Sequence, residues 1–243
     1  MTLAGLNALI LGATGATGKR LLQELLASPQ YASVSEYGRH ITSPEKIVTG
    51  KEKLDQKIID FEKLEEAGFR DKKWDVVFIT MGTTRKKAGS AAAFDKIDRE
   101  YVVNAARAAK SDDPSHPQRL LYVSVGGASP SSWDFYWRSK GITEQKIAEL
   151  GYNDTIIFRP GILGEADRGE TRVMESIATS VLWLASKVSS SVYMPVPTLA
   201  KAMRVVGAVG SSGLPPDTVQ KAGSPKTPFS VLDNSSILNI ADA

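Results

Sequence analysis

The sequence predicts an α/β domain with a doubly wound, mostly parallel sheet and helices on both faces. Short apolar runs of strand length alternate with longer segments of helical periodicity over residues 6–160. The first run, 6–11, leads into a glycine-rich turn and then into a helical pattern. The 243 residues contain no internal repeat and no linker-like stretch, so one domain is expected, with residues 162–243 adding a small C-terminal substrate lobe.

The composition narrows the classes of function. The formal net charge is +3 and the basic residues are interspersed with acids, which does not indicate a nucleic-acid surface. The chain has no cysteine and two histidines, His40 and His116, so we expect neither disulfides nor a metal site. No targeting segment precedes the first strand, and no stretch approaches the ~20 apolar residues of a membrane span. An intracellular protein is expected, with any membrane contact peripheral.

The strand, turn and helix at the N-terminus carry the strongest functional signal. Glycines 12, 15 and 18 follow the first strand, and leucines at helical spacing follow them. A turn without side chains lets the backbone approach a pyrophosphate, and the new helix directs free N–H groups at it. An ordinary tight turn is the alternative, but strand, spacing and helix agree with phosphate binding. The cofactor-binding residues predicted from this turn are Gly12, Gly15 and Gly18.

The second predicted strand, 33–37, runs into Gly38, Arg39 and His40. An acid at the end of this strand usually binds the ribose 2′-hydroxyl of NAD, whereas an arginine suits the 2′-phosphate of NADP. Glu36 lies inside the strand and is a poor substitute for that acid. Arg39 therefore favours NADP(H), with a solvated surface arginine as the alternative.

The remaining elements up to residue 160 alternate in the same way. The predicted strands are 57–60, 74–82, 119–125 and 155–161, and the predicted helices are 62–69, 91–110 and 133–150. The fourth strand ends in Gly82, Thr83, Thr84 and Arg85. Small and hydroxyl residues at the carboxyl end of a strand are typical of ligand-binding loops in open α/β sheets.

The alternation weakens beyond residue 160. Helices are predicted at 173–187 and 195–210, and 231–240 is predicted to close the fold as a strand or a helix. The 173–187 helix is amphipathic, and core packing is the favoured use of its apolar face. A partner or membrane contact is the alternative, although its polar face lacks the basic residues of an interfacial helix.

Three side chains form a candidate catalytic set. Tyr136 and Lys140 stand four apart on a predicted helix and share a face, and Ser124 ends the strand before that helix. In a carbonyl reduction the phenol would donate the proton, and an adjacent ammonium would lower its pKa. Ser124 would orient the carbonyl oxygen, and Lys140 would also hold the nicotinamide ribose. A pair of surface residues is the alternative for Tyr136 and Lys140 alone, but their position relative to Ser124 and the glycine turn favours catalysis.

The glycine-rich turn at 12–18, the Ser124, Tyr136 and Lys140 set and the Phe-Arg-Pro-Gly stretch at 158–161 resemble the atypical short-chain dehydrogenase/reductase superfamily. More specific likenesses lie at residues 60–64, 81–89, 98–101 and 158–163. These stretches resemble the Tat-interactive-protein oxidoreductases, whose fungal branch comprises mitochondrial outer-membrane proteins.

This resemblance implies a Rossmann-like fold that binds NADPH. It places the glycine-rich turn, with Thr14 and Thr17, at the pyrophosphate and Arg39 at the 2′-phosphate. It also implies further cofactor contacts: Asp60 and Phe61 beside the adenine, Gly82 to Arg85 along the dinucleotide, and Pro160 and Gly161 near the nicotinamide. The implied location is the mitochondrial outer membrane, peripherally, or the cytoplasm.

Two functions from different classes remain. The first is an NADPH-dependent oxidoreductase that reduces a carbonyl or an activated double bond, favoured because a pure binding protein does not need the phenol of Tyr136. The second is a regulatory or scaffold protein that binds NADPH and a partner without turnover, which the amphipathic 173–187 helix and the regulatory members of the family motivate. The substrate and the oligomeric state do not follow from the sequence.

Overall fold

The structure, a computed structural model, describes residues 5–164 and 193–242. Its centre is strand β1 (Leu6–Leu11), whose last four residues are fully buried. Helix α1 (Ala16–Ala27) follows the glycine turn and buries a stripe of leucines that begins at Leu21. Because β1 is apolar except for Asn7 and α1 is apolar on one face, strand and helix form where the sequence predicts them.

The main sheet has eight strands in the described part of the chain, in the order β3-β2-β1-β4-β5-β6-β10-β9. The first seven pair in parallel, and β9 closes the edge as an antiparallel partner of β10, which confirms the mostly parallel sheet. The chain places β2 and β3 on one side of β1 and β4 on the other, so the order reverses between β1 and β4. Ligands of such sheets bind at the carboxyl ends of the strands beside this reversal. The strands after β1 are β2 (Tyr31–Gly38), β3 (Leu54–Ile58), β4 (Val76–Ile79), β5 (Arg119–Val123), β6 (Asp154–Arg159), β9 (Gln220–Ser224) and β10 (Thr227–Asp233), and a separate parallel pair is formed by β7 (Ile162–Gly164) and β8 (Tyr193–Pro195).

Helices cover both faces of the main sheet. One apolar core holds α1 together with the last two helices, and the other holds the helices between β4 and β6. A π-helical turn, Lys96–Glu100, joins α3 to α4 without a break in the chain direction. The helices after α1 are α2 (Arg85–Ala88), α3 (Ala91–Asp95), α4 (Tyr101–Ala109), α5 (Phe135–Ala148), α6 (Val196–Val209) and α7 (Asn234–Asp242).

Some elements differ from the sequence-based predictions. Strand β3 begins three residues before the predicted 57–60. None of its residues is fully buried and it pairs with β2 through its backbone, so its sequence carries only a weak hydrophobic pattern. Residues 231–240, predicted as a strand or a helix, contain the end of one and the start of the other. Strand β10 ends at Asp233, and α7 starts at the next residue. Strand β9 was not predicted, because its exposed, polar edge carries no apolar pattern. The predicted helix at 173–187 lies outside the described residues.

Candidate functional site

The glycine turn between β1 and α1 is packed too tightly for side chains. Gly12 has a φ of +93°, and a Cβ there would lie 2.8 Å from the backbone nitrogen of Met81. A Cβ on Gly18 would lie 2.0 Å from the carbonyl oxygen of Gly12, so α1 sits directly on the turn. The turn is closed by a hydrogen bond from the Gly15 N–H to the Gly12 carbonyl, 3.0 Å long.

The start of α1 is free to receive an anion. Thr14 and Gly15 are exposed, whereas Thr17 is buried against the sheet. Gly15 provides no side chain to cap the helix, and no acidic residue occupies the first turn. The positive end of the helix dipole and its N–H groups therefore face outwards at the carboxyl end of β1, which fits a pyrophosphate.

Arg39 and His40 follow β2 and are exposed at the same edge of the sheet. Glu36 is 1% exposed and already has its hydrogen-bond donors. One of its oxygens accepts from the backbone N–H and the hydroxyl of Thr42, both at 2.8 Å, and the other accepts from Nε2 of Gln56 at 2.7 Å. Glu36 thus holds the loop that carries Arg39, and its oxygens are not directed at a ribose.

Asp60 and Phe61 come just after β3. Asp60 is exposed, and its carboxylate accepts a hydrogen bond from the Glu62 N–H at 2.9 Å. The Phe61 ring is buried and stacks on Tyr101 with ring centroids 5.4 Å apart. Arg39 and Asp60 therefore lie on the far side of β1 from β5, which carries Ser124.

The loop after β4 reaches towards the candidate catalytic residues. Gly82 lies close to Lys140, since a Cβ on Gly82 would be 3.7 Å from the lysine Nζ. The hydroxyl of Thr84 caps α2 by accepting from the Lys87 N–H at 3.2 Å. The guanidinium of Arg85 lies 5.9 Å from the centre of the Phe135 ring at the start of α5. The loop thus joins the glycine-turn side of the crevice to α5.

Lys140 is 4% exposed and forms the buried centre of the site. Its Nζ lies 2.8 Å from Oδ2 of Asp98 and donates a hydrogen bond to Oη of Tyr122 at 3.0 Å. Asp98 is completely buried and also accepts the Thr83 N–H on Oδ1 at 3.0 Å. The ion pair therefore links the α5 lysine, the loop after β4 and the π-helical turn.

Sequence reasoning missed both partners of Lys140, although each leaves a signal. Asp98 stands four residues after Phe94 and four before Val102, so it is a carboxylate inside an otherwise apolar helical stripe. Tyr122 stands two residues before Ser124, so both side chains face the same side of β5. Asp98 could have been identified as a charge on an apolar helix face, and Tyr122 as a polar group two residues before a candidate serine.

The electrostatics correct one expectation about Tyr136. Burial by itself would lower the pKa of Lys140, but the Asp98 carboxylate, together with Tyr122 and Tyr136, outweighs that effect and holds the pKa well above its usual value. Burial raises the pKa of the Tyr136 phenol; Lys140 opposes this, and Asp98 adds to it. The expected net lowering of the Tyr136 pKa is therefore wrong, because burial of the phenol outweighs the effect of the ammonium and Asp98 adds to the rise. Near neutral pH Tyr136 carries its proton.

Ser124 directly follows β5 and is held by a hydrogen bond from its N–H to the Phe158 carbonyl, 2.8 Å long. Its Oγ is buried and has no hydrogen-bond partner among the described residues. Asp134 starts α5 by accepting the Tyr136 N–H at 2.8 Å, and the Tyr136 ring packs on Phe94 with centroids 5.8 Å apart. A serine hydroxyl and a phenol are thus fixed at the same edge of the sheet, and nothing in 5–164 or 193–242 hydrogen-bonds the serine Oγ.

Pro160 and Gly161 follow β6 and border the same edge. The Pro160 carbonyl accepts the Gly126 N–H at 2.9 Å, and the Gly161 N–H donates to the side chain of Asn234 at 2.8 Å. The loop after Ser124 is therefore tied to the segment predicted to lie near the nicotinamide.

Comparisons with known proteins agree with this geometry. A family model described as NAD(P)H-binding matches residues 12–182. Protein HTATIP2 of Rattus norvegicus is 38% identical over 196 residues, which cover 80% of this chain and 78% of the relative. The protein named FMP52, mitochondrial, of Candida albicans is 34% identical over 165 residues, or 66% of this chain and 69% of the relative.

Solved structures show the same fold at lower identity. A short-chain dehydrogenase/reductase from Saccharomyces cerevisiae has a TM-score of 0.68 at 14% identity, with 97% of this chain and 99% of that chain covered. The Bordetella bronchiseptica enzyme WbmF, solved with NAD+, has a TM-score of 0.64 at 14% identity, with coverages of 100% and 78%. Within the described residues, no helix is long and apolar enough to cross a membrane. The chain belongs to the NAD(P)H-binding, atypical short-chain dehydrogenase/reductase family that includes HTATIP2 and the fungal FMP52 proteins.

Proposed function

We propose that the protein is an NADPH-dependent reductase of a carbonyl compound or an activated double bond. The observation that carries the proposal is the hydroxyl of Ser124, buried without a hydrogen-bond partner among the described residues. Leaving a buried hydroxyl unpaired costs about 1–3 kcal/mol. A substrate oxygen bound beside Ser124 would satisfy that group, and the neighbouring helix supplies a proton donor in Tyr136.

Each of the three side chains has a separate task. NADPH, when bound, supplies the hydride for the reaction. Ser124 donates a hydrogen bond to the substrate oxygen and fixes its position. Tyr136 carries its proton at neutral pH and delivers it to that oxygen as negative charge develops there. Lys140 stabilises the phenolate that remains and provides an ammonium near the ribose. Because the raised pKa of Tyr136 favours the donor form, we propose reduction as the preferred direction.

The choice of NADPH over NADH rests on the loop after β2. Arg39 is exposed there and has no acid next to it in the sequence, and Glu36 is already occupied by Thr42 and Gln56. A ribose 2′-hydroxyl would find no free carboxylate from Glu36, whereas a 2′-phosphate would find a guanidinium. Gly12, Gly15 and the start of α1 would hold the pyrophosphate.

We also propose a small-molecule substrate, and a location at the mitochondrial outer membrane by peripheral attachment. The location is supported by the names of the fungal relatives, which contain the word mitochondrial. Cell fractionation of the tagged protein followed by an alkaline carbonate wash tests it. Recovery with mitochondria and release by the wash are expected, and a protein confined to the cytosolic fraction would contradict the location.

The function itself is tested with NADPH that carries deuterium at the transferable position. The protein and NADPH are incubated with a cell extract, and small molecules are searched for deuterium by mass spectrometry. Label is expected with the wild-type protein and is expected to be absent with Tyr136→Phe, which should still bind NADPH. If wild type binds NADPH in the same sample and transfers no label, the reductase proposal fails and a regulatory protein that binds NADPH without turnover is favoured.

A further inference from the structure

Asp98 lies where the cofactor loop and the catalytic helix meet. It is 0% exposed and belongs to the π-helical turn Lys96–Glu100. Its two oxygens serve two different elements: Oδ1 accepts the Thr83 N–H at 3.0 Å, and Oδ2 lies 2.8 Å from the Nζ of Lys140. π-helical turns are rare and occur often at functional sites.

The backbone of the loop also rests directly on this ion pair. A Cβ added to Gly82 would lie 3.2 Å from Oδ1 of Asp98 and 3.7 Å from Nζ of Lys140. Gly82 therefore lies next to both charged groups with little room for a side chain, and Thr83 is bonded to one of them, so a shift of the pair would reach the loop. Movement of Gly82 and Thr83 would change the strip of backbone proposed to run along the dinucleotide.

A purely structural role explains Asp98 poorly. A buried ion pair contributes little net stability, because desolvation of both charges offsets most of their attraction, and an apolar pair would fill the same space at least as well. The position lies in a helical stripe that is otherwise apolar, between Phe94 and Val102. A charge retained in such a stripe, in contact with a candidate catalytic lysine, indicates a role in the site.

We propose that Asp98 is a positioning residue that holds the cofactor loop and Lys140 as one unit, and that its charge sets the site to donate a proton rather than to accept one. This inference rests on the proposed reductase function. Burial of the phenol raises the pKa of Tyr136 most, the Lys140 ammonium opposes that rise, and the Asp98 carboxylate counteracts the ammonium. Asp98 thereby keeps Lys140 available to the cofactor without turning Tyr136 into a base.

The groups around the pair come from four elements. Tyr122 faces Lys140 from β5, Asp98 faces it from the π-helical turn, Thr83 faces Asp98 from the loop after β4, and Tyr136 shares α5 with Lys140. The next acid along α5, Glu144, is engaged with Arg159 of β6 through contacts of 3.0 and 2.5 Å. Asp98 is therefore the carboxylate that acts on Lys140 among the described residues.

The charge role is tested with Asp98→Asn, which keeps an oxygen for the Thr83 N–H and removes the negative charge. The protein is labelled with ¹³C at Cζ of tyrosine, the Tyr136 signal is identified by its loss in Tyr136→Phe, and both proteins are titrated by NMR. The pKa of Tyr136 is expected to fall by about one pH unit or more in Asp98→Asn, which is at least a tenfold larger phenolate fraction at a given pH below it. A pKa equal to that of the wild type would overturn the proposal.

Asp95→Asn is the matched control, because Asp95 stands one turn earlier on the same helical segment. It accepts from the Ser139 hydroxyl at 2.6 Å and from the Arg99 guanidinium at 2.8 Å, and it does not contact Lys140. Its replacement is expected to leave the Tyr136 titration unchanged. An equal fall of the pKa in Asp95→Asn would mean that the effect is a general loosening of the helix, and the proposal would be wrong.

Removing one charge of a buried pair can prevent folding, so a double variant keeps the idea testable. Asp98→Asn combined with Lys140→Gln places two neutral amides where the ion pair stood. Because the two lost charges act oppositely on Tyr136, its pKa is expected to stay within about half a pH unit of wild type. A change of a full unit in either direction would contradict the compensation on which the inference depends.

The positioning role is tested with Asp98→Ala, which removes the acceptor of the Thr83 N–H. NADPH affinity is expected to fall about 10- to 150-fold, as for a lost hydrogen bond to a charged group, while Asp98→Asn should lose much less. Equal affinities in Asp98→Ala and wild type would refute the link to the loop. None of these measurements needs turnover. Failure of the reductase proposal would appear as missing deuterium transfer in the wild type. Failure of the Asp98 proposal would appear as an unchanged Tyr136 pKa or an unchanged NADPH affinity in the variants.

Discussion

Replacing Arg39 with alanine tests the cofactor preference most directly. The side chain is exposed at the end of β2, so its removal leaves no cavity and should not change the fold. A charge-assisted hydrogen bond to a phosphate is worth about 1.5–3 kcal/mol. Because Arg39 is exposed to salt and water, the lower part of that range applies, and we expect ~10- to 30-fold weaker NADPH binding. NADH has no phosphate at this place, so its affinity should change less than about twofold.

The assay follows the fluorescence of the reduced nicotinamide during titration of the protein with NADPH or NADH, at low and at high salt. The salt dependence of NADPH binding should become shallower in the variant, because one cation fewer faces the phosphate. Arg70→Ala is the matched control, since Arg70 is an exposed arginine at 3.8 Å from Asp112, away from the β2 loop. Equal weakening of NADPH and NADH by Arg39→Ala would refute the 2′-phosphate role.

Three further predictions follow from the same geometry. Gly18→Ala should abolish cofactor binding and lower the melting temperature measured by calorimetry, because the new Cβ would lie 2.0 Å from the Gly12 carbonyl oxygen. An unchanged melting curve would contradict the packing of α1 on the turn. Ser124→Ala should reduce turnover by ~10²-fold or more. It should cost no stability in urea unfolding, because the Ser124 hydroxyl has no partner among the described residues. A destabilised variant would instead indicate a structural role for this hydroxyl. The reduction rate should be constant across neutral pH and fall only above pH 10, because the proton donor is the protonated phenol of Tyr136 and its pKa is raised from 10.0. A fall of the rate near pH 8 would mean that another group donates the proton.

Much of the fold could be predicted because its signals are local. The apolar run of β1, the glycine turn and the leucine stripe of α1 each depend on neighbouring residues, and all three form where predicted. Strands β3 and β9 were misplaced or missed because edge strands are held by backbone pairing, which leaves little trace in side-chain type. Local pattern therefore identifies buried elements well and exposed edges poorly.

The site was predicted less completely than the fold. The spacing of Tyr136 and Lys140 is local and readable, but the partner of Lys140 comes from a helix some forty positions earlier in the chain. Burial of the phenol raises the Tyr136 pKa more than Lys140 lowers it, and Asp98 adds to the rise, so the direction of the shift could not follow from spacing. Glu36 shows the opposite case: its unsuitability as a ribose ligand was inferred from position, and the hydrogen bonds to Thr42 and Gln56 supply the physical reason.

The reversal of strand order between β1 and β4 explains why these parts meet at all. Parallel strands deliver every carboxyl end to one edge, so the glycine turn after β1, the loop after β4 and Ser124 after β5 lie side by side. The two loops are rich in glycine and hydroxyl residues and, Arg85 apart, provide backbone rather than charge, so the buried charges of the site come from the helices that follow. Lys140 on α5 and Asp98 on the π-helical turn are those charges, and each would be costly alone in a buried place. Their pairing lets the crevice hold an ammonium beside Tyr136, while burial of the phenol, helped by Asp98, raises the Tyr136 pKa and keeps its proton in place. That is the condition the proposed reductase function needs.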